Sequence, residues 1–83
     1  MVEIIDKKIG DLDRKLEDLN GMLDYQVAEL RENVNHYDAD SIVDFVPQRV
    51  VAIGNTLKEI KIINEQIRML VWMKKEVEDS AEG

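Results

Sequence analysis

"NHYDADSIVDFVPQR", residues 35–49, holds the chain's single His, its single Pro and three Asp residues. Two readings compete for it: a metal or catalytic loop, or a corner between helices. Asp38 and Asp40 resemble the opening of a D-x-D-x-D calcium loop. The third ligand position is Ile42, the glycine position is Val43 and the twelfth is Arg49, so the oxygen ligands and the Gly turn are missing. His36 beside Asp38 and Asp40 is too sparse a set to define a metal site. The corner reading accounts for more of the residues. Asp40 or Ser41 can cap a helix start, and Ser41-Ile42-Val43-Asp44 is close to a capping box. Pro47 lacks an N–H and clashes with the carbonyl four residues back. The pattern therefore predicts a short helical turn over about 40–45 and a main helix from about Pro47. Ile42, Val43, Phe45 and Val46 would plug the corner.

Outward from the corner, the first segment carries apolar residues at Ile5, Ile9, Leu12, Leu16, Leu19, Leu23, Val27, Leu30, Val34 and Tyr37. The steps are three and four, which is helical, with one extra step of four between Leu19 and Val27. Such a stutter locally unwinds a coiled coil. Asn20–Gly21 is a turn signal, but the apolar stripe crosses it without a break and both residues fall on its outer side. One continuous helix over about 3–36 is expected.

The second segment places Val46, Val50, Ile53, Leu57, Ile60, Asn64, Ile67, Val71 and Lys74 at alternating steps of four and three, a heptad seam. Ile63, Leu70 and Val77 widen it on one side. A helix over about 47–77 follows, ~45 Å long against ~50 Å for the first. Matched lengths and a short connection predict an all-α, long antiparallel, coiled-coil-like helical hairpin. It forms one domain over residues 1–83, and 78–83 reads as a flexible acidic tail. Hairpins of this length are similar to type VII secretion substrates and prefoldin-like chaperones. The W-x-G turn of the first is "DFVPQ" here, and no strand pair lies between the helices as in the second.

Composition narrows the function classes. A chain of 83 residues buries a modest share of its surface and ordinarily needs a staple. There is no Cys, so a disulfide or thiolate–metal staple is excluded and a partner subunit is left. The net charge of −7 opposes direct binding to nucleic acid or to anionic membrane. No apolar run reaches the ~20 residues of a membrane span, and a cytoplasmic location is the default expectation. The charge is divided. Residues 1–37 carry −4 and residues 48–75 carry +4, which suits two segments packing on each other.

Little in the chain supports catalysis, and no cofactor is expected. Glu29 and Glu32 share a helical face, as in all-α nucleotide pyrophosphatases that hold magnesium. The partner helix has no matching pair, because Glu59 and Glu65 do not share a face. Arg49, Lys58, Lys61 and Arg68 form a candidate anion-binding set for a phosphorylated metabolite or nucleotide. Asn64 in the apolar seam is a candidate register residue, of the kind that pairs with its own copy.

The strongest signal is apolar surplus. Ile62, Met69, Trp72 and Met73 lie opposite Ile60, Ile67 and Val71, so this part of the second helix is apolar nearly all round. Ile4 repeats the pattern at the hairpin's same end. One partner helix cannot cover both faces, and an exposed apolar patch with Trp and Met marks an interface. The expectation is a non-enzymatic interaction or assembly module, an adaptor or small inhibitor. It would complete a four-helix or larger bundle as a homo-oligomer, most simply a dimer, and suit a basic protein partner.

Overall fold

The chain turns once. In the computed structural model, which describes residues 1–82 with side chains to residue 80, α1 spans Val2–His36 and α2 spans Ala39–Glu82. The described residues contain no strand. The helices lie side by side as an extended hairpin of 66 × 15 × 13 Å.

The corner is tighter than the sequence suggests. Tyr37 is extended, at φ −111° and ψ 154°, and its N–H closes on the Asn33 carbonyl at 3.1 Å. Asp38 then caps α2. Its Oδ1 accepts from the Ser41 backbone N–H at 3.0 Å, and its carbonyl accepts from the Ile42 N–H at 3.0 Å. The cap is thus Asp38, not Asp40 or Ser41. The Phe45 ring rests on Tyr37, with centroids 5.3 Å apart. Ile42 and Val46 turn inward, whereas Val43 is 70% exposed.

Pro47 does not break the chain. The expected turn over 40–45 and the main helix from Pro47 are one helix, and Pro47 lies inside it. Pro47 sits on the exposed side of α2, so the Val43 carbonyl that loses its amide partner lies toward solvent. α2 also continues to Glu82, through most of the stretch read as a frayed tail; Gly83 lies outside the described residues. α1 runs unbroken through Asn20–Gly21, and a Cβ added at Gly21 would meet nothing within 4 Å.

The packed seam differs by one residue from the apolar pattern. In α1 the buried and half-buried positions include Val2, Ile5, Ile9, Leu12, Leu16, Leu19, Leu23, Gln26, Leu30 and Asn33. These keep strict steps of three and four, so there is no stutter. The seam passes through polar Gln26 and Asn33, while Val27 and Val34 stay exposed. In α2 the inward row is Ile42, Val46, Arg49, Ile53, Thr56, Ile60, Ile63, Ile67, Leu70, Lys74 and Val77. Val50, Leu57, Asn64 and Val71, read as seam, lie one residue away and are exposed.

The reason is pairing across the seam. Thr56 is buried, and its hydroxyl donates to Gln26 Oε1 at 2.9 Å. Arg49 Nη1 meets Glu29 Oε2 at 2.9 Å. With its amide oxygen toward the guanidinium, Asn33 accepts from Arg49 Nε at 2.7 Å. At the open end Lys74 Nζ meets Asp6 Oδ1 at 2.8 Å. Polar side chains satisfied in register tolerate positions that unpaired ones would not. The ion pairs also join the acidic first segment to the basic second.

One hairpin makes a thin core. Among the described residues only Ile5 and Ile63 are buried hydrophobics, and no side chain is fully enclosed. The radius of gyration is 19.0 Å, against about 12 Å for a globule of this length. The accessible surface is 6576 Å². A compact monomer of 9.6 kDa would expose about 5,100 Å², leaving an excess of roughly 1,500 Å².

Candidate functional site

The seam divides the hairpin surface into two sides. On one, residues from the two helices line common shallow hollows. Lys15 and Asp18 face Glu59 and Ile62, and Lys8 and Asp11 face Gln66, Met69 and Met73. Nearer the corner, Met22 and Tyr25 face Ala52. The other side carries the rows next to the seam: Val27 and Val34 of α1, and Val43, Val50, Leu57, Asn64 and Val71 of α2.

Of the apolar cluster singled out from the sequence, Ile4, Ile62, Met69 and Met73 fall on the first side toward the open end, and Trp72 stands next to Met69 on the outer face of α2. Met69 and Met73 line one hollow, and Met69 and Trp72 line the next with Glu65 and Arg68. Ile62 stands one heptad toward the corner, beside Leu19 and Ile63. Ile4 stands one heptad before Asp11, on the same row of α1. All five are exposed, with Met69 at 66% and Trp72 at 62%. Trp72 does not fold flat to shield itself. Helix periodicity brings these residues together because Ile62, Met69 and Met73 flank the inward Ile63 and Leu70 on one edge.

The cation set divides. Arg49 turns into the seam, where Glu29 and Asn33 engage it. Lys58, Lys61 and Arg68 remain on the exposed part of α2. Glu29 and Glu32 are likewise separated in role, since Glu29 pairs with Arg49 and Glu32 is exposed. Among the described residues no group of three or more His, Cys, Asp or Glu side chains is placed to hold a metal ion. Asn64 is exposed, outside the intrachain seam. Among the described residues no helix is long and apolar enough to cross a membrane.

The Ser41 backbone N–H, together with the Ser41 side chain, holds the Asp38 carboxyl below its ordinary value. The hydrogen bond and charge of Asp6 raise Lys74 above its ordinary value. Neither group lines the hollows at the apolar cluster, where Lys8, Asp11, Glu65 and Arg68 stand beside Met69, Met73 and Trp72.

The apolar periodicity missed a second surface, on the opposite side and at the corner end. Val43, Val50 and Leu57 follow each other at heptad spacing on α2, with Val27 and Val34 beside them on α1. A signal was present in the sequence: from Phe45 to Leu57 the only ionisable residue is Arg49. Comparison with known proteins gives no match to a family model, to a curated protein or to a solved structure.

Proposed function

We propose that the chain is a non-enzymatic protein-interaction module, an adaptor, assembly factor or small inhibitor, that works as a homo-oligomeric helical bundle. The carrying observation is the mismatch between apolar content and burial. Among the described residues the hairpin buries two hydrophobic side chains and leaves Ile4, Ile62, Met69, Trp72 and Met73 exposed toward its open end. Its excess surface of roughly 1,500 Å² on one chain is about twice the 800 Å² or so that each partner gives to a standard interface, enough for one contact with area left for a second. Trp and Met are the side chains such contacts favour, because they bury large area with few polar atoms to desolvate. The acidic balance of the remaining surface suits a basic protein as the further partner.

Light scattering of the chain at micromolar concentration tests this reading. The expected mass is that of a dimer or a larger closed assembly. A well-folded monomer would refute it. Ile62→Glu with Met69→Glu is expected to abolish the association that the open-end patch supports, whether with a copy or with the partner.

A further inference from the structure

We infer that the corner end carries a separate self-association surface, on which a second copy packs antiparallel about a twofold axis beside Val50. This rests on the homo-oligomeric reading above and names its contact. The observation is an exposed helix segment with no charge on its outside. From Phe45 to Leu57 the single ionisable residue is Arg49, and it is turned into the seam by Glu29 and Asn33. Yet Val43, Val50, Val51 and Leu57 are at least half exposed or close to it, at 70%, 52%, 62% and 49%. An uncharged helix face open to water over three turns is the pattern of a covered face.

The row next to these residues says what covers it. Asp40, Pro47, Gly54 and Lys61 follow at heptad spacing on the edge beyond Val43, Val50 and Leu57. About an axis beside Val50, an antiparallel copy brings Pro47 level with the copy's Gly54, and Asp40 level with its Lys61. Val50 meets the region of its own copy, and Val43 comes level with Leu57. The strip is thus complementary to its own reverse, apolar and small in the middle and oppositely charged at its ends. A parallel stack lacks this match. It would set Asp38, Asp40 and Asp44 of both copies together at one end and Lys61 and Arg68 of both together farther along, which like-charge repulsion opposes at each end. Gly54 allows close approach of the two helices, and in the single hairpin a Cβ added there meets nothing within 4 Å.

That open space gives a test that spares the hairpin. In the full chain, Gly54→Gln sets its Cβ in open space in one copy and its longer side chain in the way of the second. Gly10→Gln, equally open and outside the overlap, is the control. Sedimentation across a concentration series should show Gly54→Gln raising the dimer dissociation constant by about tenfold or more, with helicity by circular dichroism kept, and Gly10→Gln leaving it unchanged. Asp40→Lys and Lys61→Asp should each weaken the dimer by about threefold or more, and the double swap should restore it. A wild-type chain that is monomeric throughout would sink the homo-oligomeric reading itself. An oligomer whose mass ignores Gly54→Gln, or that Ile62→Glu with Met69→Glu alone dissolves, overturns this inference and leaves that reading standing. A double swap weaker than either single swap would overturn the antiparallel register.

Discussion

Thr56 of α2 donates its hydroxyl to Gln26 Oε1 of α1 at 2.9 Å, across a seam where two aliphatic side chains would be the simpler choice. Gln26 is half-buried, so the amide left behind by a substitution at Thr56 would be incompletely solvated. Thr56→Val is expected to cost about 1–3 kcal/mol, because it strands the Gln26 amide. Thr56→Val with Gln26→Leu should recover most of that loss, since both partners are then apolar. Urea unfolding of the four chains at one concentration checks the cycle. Additive losses would show that the two side chains do not depend on each other.

Neighbouring residues on α2 separate the packed seam from the apolar pattern. Ile63 is buried and Asn64 is exposed. Ile63→Ala should lower the unfolding free energy by about 2–4 kcal/mol, and Asn64→Ala should change it by less than about 0.5 kcal/mol. Chemical denaturation measures both. The reverse order would place the seam on the Val50, Leu57, Asn64 and Val71 row.

Two substitutions test helix continuity. Gly21 lies inside α1 with nothing near its missing Cβ, so Gly21→Ala should stabilise by about 0.5–1 kcal/mol. If Asn20–Gly21 were a turn, the same change would destabilise. Pro47 lies inside α2, so Pro47→Ala should stabilise the hairpin by up to about 3 kcal/mol. A neutral result at Pro47 would mean that the helix does end there. Thermal melts read both effects.

The pH dependence of the ends has a definite sign. Asp38 has a folded value below its unfolded one, since the Ser41 N–H holds the ionised form. Its contribution is therefore present above the unfolded value of about 4 and is lost as pH falls through the folded value. The melting-temperature gap between the wild type and Asp38→Ala should be constant near neutrality and close in acid. Lys74 runs the other way, raised from 10.5 by Asp6. Its contribution is full below that value and is lost as pH rises through the folded one. The gap to Lys74→Met should close only in strong alkali, and 1 M salt should shrink it at neutral pH because both partners are partly exposed.

The two helices, their antiparallel pairing and the corner near residue 38 were legible because heptad spacing persists over both segments. The inward row was not. In α2 two adjacent rows are both apolar at heptad spacing, and counting apolar residues favours Val50 and Leu57 over Arg49 and Thr56. Only the opposing Glu29, Asn33 and Gln26 make the polar row the better one to bury. The same ambiguity produced the stutter, since Val27 and Val34 attract an apolar count away from Gln26 and Asn33. Pro47 misled for a different reason: its lost hydrogen bond falls on the outer side, where water can replace it. The open-end cluster of Ile62, Met69, Trp72 and Met73 was legible as an apolar surplus because the inward row at Ile63, Ile67 and Leu70 is apolar as well and leaves these residues outside it.

The patch holding Trp72 and the strip centred on Val50 lie toward opposite ends of the hairpin. Copies joined through the strip would therefore carry the patch outward, once at each extremity. Counting 22 residues from Val50 to Trp72 in each copy at ~1.5 Å per residue, the two heads stand about 65 Å apart. Such a rod is bivalent and of fixed span. It can bridge two separate bodies, or two sites on one large body, and it cannot close on a single small target.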